Sequence, residues 1–154
     1  MRGNAKVLEQ LNAALSSELT AIVQYMTQSE MCSNWGYAKL AGVTKKRAIE
    51  EMKHAETLIE RIIFLDGVPQ IDVALKPRPG ANVPQILEID LQDEHVAVKD
   101  YNLAVQICAE LKDDGTRELF ERLIKDEERH VDLLESQIHS LGEVGLANYL
   151  AQQM

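Results

Sequence analysis

The sequence predicts an all-α protein: a four-helix bundle with one long crossover between helices 2 and 3, and a short fifth helix at the C-terminus. Three observations carry that reading. Nearly half of the 154 residues are apolar, few are aromatic, and Glu, Lys, Leu and Ala abound, a mixture that favours helix over sheet. Apolar residues recur at the helical period in four separate stretches. Midway along the chain lies one Pro- and Gly-containing stretch much longer than the other connections.

Val7, Leu11, Leu15, Ile22 and Met26 mark the first helix, and Leu40, Ala48, Ala55, Leu58, Ile62 and Leu65 the second. Asn34-Trp35-Gly36 supplies a short turn between them, so the pair is an antiparallel hairpin. Beyond Leu65, Gly67, Pro69, Pro77, Pro79 and Gly80 forbid a continuous helix. An extended segment of that length reaches from one end of a bundle to the other, which favours a single long crossover over up-down-up-down connection. Val83, Leu87, Leu91, Val98 and Val105 then mark a third helix and Phe120, Leu123, Leu134 and Ile138 a fourth, with Asp113-Asp114-Gly115 between them. A short fifth helix is expected after Gly145. The length suits one domain, residues 1–154, with no second expected.

A formal charge of −9 argues against nucleic acid as a partner, since phosphate binding needs clustered Lys and Arg. No stretch offers the roughly twenty apolar residues that cross a bilayer, and MRGNAKVLEQ lacks the apolar centre of a signal peptide. A cytoplasmic protein without membrane contact is expected. Cys32 and Cys108 have no nearby thiol in sequence and read as reduced, partly buried side chains.

The two halves are copies of one plan. A constant displacement pairs Val7 with Val83, Leu11 with Leu87, Leu58 with Leu134 and Ile62 with Ile138, as a duplicated hairpin would. The same displacement pairs Glu18 with Glu94, Tyr25 with Tyr101, Glu51 with Glu127 and His54 with His130. Packing explains repeated apolar positions; it does not explain repeated acids and histidines among them.

Helical phase puts these polar residues inside. At ~100° per residue, Glu51 falls among Thr44, Ala48, Ala55, Leu58 and Ile62, with His54 at the edge of that face. Glu127 falls among Phe120, Leu123, His130, Leu134 and Ile138. Glu18 lies with Leu11, Leu15, Ile22 and Tyr25, and Glu94 with Leu87, Leu91, Val98 and Tyr101. Four unpaired carboxylates in an apolar core would cost several kcal/mol each, beyond what a marginally stable domain offsets. No inward-facing Lys or Arg is apparent on these faces, which leaves protonation or bound metal. Two divalent cations would balance four carboxylates and leave both His neutral as ligands. Oxygen-rich ligands with two imidazoles suit iron or manganese, with zinc also able to occupy such a site, and iron is preferred. One Glu from each of two helices, with Glu-x-x-His from each of the others, is the di-iron arrangement of ferritin-like bundles. The ligand set alone leaves open an Fe(II) oxidase and an oxygenase acting on an organic substrate.

From MRGN through DEERH to GLANYL, the chain resembles the bacterioferritin family along essentially its whole length. The resemblance implies a ferroxidase centre with Glu18, Glu51, His54, Glu94, Glu127 and His130 as iron ligands, Glu51 and Glu127 bridging, and Tyr25 beside the two irons. It implies oxidation of Fe(II) by dioxygen or peroxide, and storage of ferric mineral in a hollow shell of twenty-four subunits built from dimers. A bacterioferritin-associated ferredoxin is then the expected electron donor for release. In EEMKHAE, Glu50 to Glu56, Met52 matches the family's axial ligand to a haem b shared by two subunits, with Leu19, Ile22, Val23 and Met26 as candidate pocket residues. Lys46 and Glu50 stand where some members carry His and Asp, so an inner-surface iron site is not expected. Leu58 and Leu133 stand at positions that can be aromatic, leaving Tyr25 the better electron donor. Asp66 and Asp132 are candidates for an iron entrance.

Overall fold

The computed structural model describes residues 1–73 and 76–154. Four long helices, α1 (Ala5–Asn34), α2 (Ala38–Phe64), α3 (Val83–Glu110) and α4 (Asp114–Val144), are followed by a short α5 (Leu146–Ala151). Ala74 and Leu75, within the expected crossover, lie outside the described residues. Among those described there is no strand, and no helix is long and apolar enough to cross a membrane.

The helix ends follow from local chemistry. Asn4, Asn82 and Asp113 accept hydrogen bonds from the backbone N–H groups of Lys6, Gln85 and Thr116, satisfying donors that the first helical turn leaves unpaired. Asp113 sets the start of α4, so Asp114 and Gly115 belong to its first turn. The expected Asp113–Gly115 connection is therefore displaced to Leu111–Asp113. The ends of α1 and α3 use one device twice. Gly36 (φ 88°) and Lys112 (φ 58°) turn left-handed, and the next N–H, of Tyr37 or Asp113, returns to the carbonyl of Cys32 or Cys108 at 2.9 Å. Gly36 and Lys112 are counterparts in the sequence repeat.

The described residues of the crossover are tied to α1 at several points. Gly3 N–H reaches Leu65 O, Asn12 pairs with Val68 and Gln70, and Ser16 Oγ donates to Asp72 O. Arg78 N–H then donates to Gln24, and Gln28 to Pro79 O. The segment thus climbs from the start of α1 toward its end and delivers α3 running antiparallel to α1. Tyr25 and Glu94 meet on those two helices, as do Glu18 and Tyr101. This is the ferritin-like four-helix bundle with one long crossover.

α1 packs along α2 and α3 along α4. A main core gathers Val7, Leu11, Leu15, Leu58, Ile62, Phe120 and Leu123 at one end. A second, with Cys32, Leu40, Leu87, Leu134 and Tyr149, fills the other, where α5 docks. Cys32 and Cys108 are free and wholly buried rather than partly so. The polar layer lies between these apolar ends.

Phe120 is fully buried, its ring centroid 5.6 Å from that of Tyr101. Phe120→Ala is expected to destabilise the apo-protein by about 3–5 kcal/mol, read as a lowered midpoint in thermal or guanidinium unfolding.

Candidate metal centre

All six ionisable residues singled out by helical phase are buried, at 1–7% exposure, and they converge at one level of the bundle. Their ligand atoms form two groups, each within 4.8 Å: Glu18, Glu51, His54 and Glu127; and Glu51, Glu94, Glu127 and His130. Glu51 and Glu127 belong to both. His54 Nδ1 lies 2.8 Å from Glu51 Oε2, 3.1 Å from Glu127 Oε1 and 3.5 Å from Glu18 Oε1. His130 Nδ1 lies 3.1 Å from Glu51 Oε1 and from Glu127 Oε2, and 3.3 Å from Glu94 Oε1. Each imidazole thus aims Nδ1 at three carboxylates.

Three of these buried atoms, Glu51 Oε2, His54 Nδ1 and Glu127 Oε1, make no hydrogen bond despite their short separations. Buried polar atoms are rarely left so. Here they belong to one four-residue group and point at one space, which fits a cation between them.

The imidazoles are held from behind. His54 Nε2 donates to Asp126 Oδ2 at 3.0 Å, and His130 Nε2 donates to Glu50 Oε2. Glu50 and Asp126 are counterparts in the repeat, and each holds the other hairpin's histidine. Arg129 reaches Glu50 at 3.0 Å and Asp126 at 3.3 Å. Such carboxylate-to-imidazole contacts fix which ring nitrogen faces a metal. The two tyrosines follow the same crossed rule: Tyr25 Oη donates to Glu94 Oε1 at 2.6 Å, and Tyr101 Oη to Glu18 Oε1.

Arg47 is a correction to the sequence reading. It faces inward, 4% exposed, donating to Asp90 Oδ2 and Glu94 Oε1 at 2.9 Å each, with its guanidinium carbon 4.0 Å from the centre of the Tyr25 ring. Asp90 is wholly buried and also accepts from Gln24 and Gln28. The pair was legible in principle, because Arg47 and Asp90 each stand one turn before an inward Glu, at i−4 from Glu51 and Glu94. Asp90 balances Arg47, so the added cation does not remove the need for charge compensation among the four Glu.

Without metal, protons answer that need. Burial, and then the nearby Glu51 carboxylate, raise Glu18 well above the usual carboxylate range; burial also raises Glu94. Burial acts upward on Glu51 too, but the His130 and His54 imidazoles against its oxygens outweigh it and bring Glu51 to about 2. Glu127 is lowered against burial by the same two histidines. Burial alone would lower both imidazoles; the carboxylates around them reverse that, pushing His130 up to about 12 and raising His54 as well. The apo centre is a closed set of imidazoliums, carboxylates and carboxylic acids.

Two cavities flank it. One of about 280 Å³ runs between α1 and α3 from Glu51 and Glu127 past Tyr25 and Tyr101 to Lys76, Arg78 and Asp93. The other, about 350 Å³, includes Lys46, Glu50, Arg129, His130, Asp132 and Leu133. Asp132 thus borders a route beside the centre, whereas Asp66 lies at the surface against the N-terminal amine. Leu58 is core. Met52 is 44% exposed on α2, and Val23 and Met26 are exposed on α1, while Leu19 and Ile22 are half-buried.

A cation at His54 or His130 needs Nδ1 free of its proton, so loading must release protons. The imidazole pKa values are raised, so protons compete throughout neutral pH. Anaerobic addition of Fe(II) or Co(II) to weakly buffered apo-protein is expected to acidify the solution. Affinity is expected to fall at least tenfold between about pH 7 and about pH 5.5, read from binding isotherms. Affinity independent of pH would contradict the protonated apo centre.

The ferritin-like domain family matches residues 8–144. A bacterioferritin of Rhodobacter capsulatus is 47% identical over 145 residues, covering 94% of this chain and 90% of its own. One from Brucella melitensis is 42% identical over 149 residues, covering 97% and 92%. A third, from Mycolicibacterium paratuberculosis, is 40% identical over 152 residues, covering 99% and 96%. Likeness of this degree across nearly the whole length of both partners, on a duplicated bundle with paired Glu-x-x-His helices, shows that the chain belongs to the bacterioferritin family.

Proposed function

We propose that this protein oxidises Fe(II) at a two-metal centre and stores the resulting ferric iron. Glu18, Glu51, His54, Glu94, Glu127 and His130 are the ligands, within one domain spanning residues 1–154. The observation that carries the proposal is the sharing of Glu51 and Glu127 by both four-residue groups. Two carboxylates common to two sites would set two cations side by side, which suits two-electron reduction of an oxidant.

Fe(II) is the substrate. The two electrons from a pair of Fe(II) ions reduce one dioxygen to hydrogen peroxide with uptake of two protons, or one peroxide to two waters with uptake of two protons. Glu51 and Glu127, ionised in the apo centre, offer oxygens to both ions. Glu50 and Asp126 keep the two Nδ1 atoms aimed inward. Tyr25 can supply one of the two electrons in place of a second Fe(II): burial keeps its phenol protonated, and Glu94 stands 2.6 Å away to take the proton as the ring is oxidised. The cavity leading in is bordered by carboxylates, phenols, Lys76 and Arg78, which suits a small hydrated ion better than the apolar substrate of an oxygenase.

The subunits assemble as a shell of twenty-four built from dimers, in the cytoplasm, with no nucleic acid or membrane partner. Exposed Val23, Met26, Ile49 and Met52 give the α1–α2 hairpin an apolar surface that fits burial against a second copy. Met52 would offer its sulfur there to a haem b shared by two subunits, with two-fold symmetry supplying a second methionine. Haem, when bound, supplies a one-electron carrier through the shell wall, with a bacterioferritin-associated ferredoxin as donor for release of iron.

Anaerobic titration of apo-protein with Fe(II) is expected to saturate near about two irons per subunit, with fast oxidation on admitting air. Glu51→Ala is expected to slow the fast phase by at least about 100-fold; an unchanged rate sinks the ferroxidase assignment. Met52→Leu is expected to lose the haem absorption spectrum while keeping fast oxidation. Retention of the spectrum removes Met52 as ligand.

A further inference from the structure

The duplicated halves place equivalent groups around the centre, with one exception. Glu18 Oε1 accepts from Tyr101, and Glu94 Oε1 accepts from Tyr25, but Glu94 Oε1 also accepts from the Arg47 guanidinium at 2.9 Å. Arg47 is held in place by Asp90, itself fixed by Gln24 and Gln28. The second half has no counterpart: the repeat sets Leu123 opposite Arg47 and Ala14 opposite Asp90. The ligand sets differ accordingly. A buried guanidinium touches a ligand oxygen on the Glu94–His130 side and none on the Glu18–His54 side.

We infer that Arg47, anchored by Asp90, makes the two halves of the centre bind divalent cations unequally, so that the Glu18–His54 side fills first. This rests on the two-metal reading above. A guanidinium 2.9 Å from Glu94 Oε1 withdraws electron density from that oxygen and repels a dication in a low-dielectric interior. It also adds a second donor to Glu94 Oε1 beside Tyr25, whereas Glu18 Oε1 has the Tyr101 hydroxyl alone. Asp90 tempers the effect because its carboxylate sits at 2.9 Å on another nitrogen of the same guanidinium. Hydrogen-bond partners behind metal ligands typically change affinity by about 10- to 100-fold, so the two affinities should separate by about tenfold or more. Arg47 acts through Glu94 and is a positioning residue.

The test is equilibrium titration of the apo-form of the full chain with Co(II), followed by visible absorption and calorimetry. Wild type is expected to bind in two resolved steps. Glu18→Gln is expected to abolish the tighter step, and Glu94→Gln only the weaker. Removing the charge pair together, in the Arg47→Met Asp90→Asn double variant, is expected to bring the steps within about threefold of each other. Asp90→Asn alone leaves Arg47 unopposed and is expected to widen the gap. These opposite displacements distinguish tuning from mere support of the fold, which would weaken both steps alike in either variant. Two Co(II) bound with a separation unmoved in both variants overturns the inference while leaving the two-metal centre standing. Fewer than two Co(II) per wild-type subunit overturns both.

Discussion

Charge compensation inside the bundle is the constraint on which the rest of the structure depends. Glu18, Glu51, Glu94 and Glu127 are each at most 2% exposed, where an uncompensated carboxylate costs several kcal/mol. The fold concentrates that cost in one layer and fills the space on either side with apolar packing. Within the layer the same groups serve two states. In the apo centre the imidazoles, raised by the carboxylates around them, and Glu18, raised well above the usual range by burial, hold protons; in the proposed loaded state cations take their place. A site that closes on itself this way can stay folded when empty.

Duplication gives the centre its geometry cheaply in sequence terms. Each hairpin contributes one outer Glu, one Tyr, one Glu-x-x-His pair and one carboxylate behind a histidine. The contacts cross between hairpins: Tyr25 to Glu94 and Tyr101 to Glu18, His54 to Asp126 and His130 to Glu50. Crossed contacts bind the halves together through their ligands, so positioning of the ligands and docking of the hairpins are one event. The crossover, fastened to α1 from Asn12 to Gln28, delivers α3 in the direction those contacts need.

Much of this was legible in the sequence, for a physical reason. Helical phase is a strong constraint, and Glu51 flanked by Ala48, Ala55 and Leu58 can face only inward; all four are buried. The crossover followed from its length and its prolines. Arg47 escaped because a long cationic side chain on a helix usually reaches solvent, and phase along one helix can turn Arg47 or Asp90 inward but cannot show that they pair across two helices. Glu50, on the flank of its helix, had no readable role until α4 brought His130 and Arg129 against it. Contacts between helices decide such residues. The role proposed for Met52 is of the same kind, since it takes a second chain to decide it.

The central claim is that Glu51 and Glu127 hold two cations between them. Crystals of the apo-protein soaked anaerobically with Fe(II), with anomalous differences collected across the iron edge, test it most directly. The account predicts two iron peaks inside each subunit, both touching Glu51 and Glu127, one adjoined by Glu18 and His54 and the other by Glu94 and His130. A bundle interior without peaks, or a single ion beside one histidine at full soaking, would contradict it.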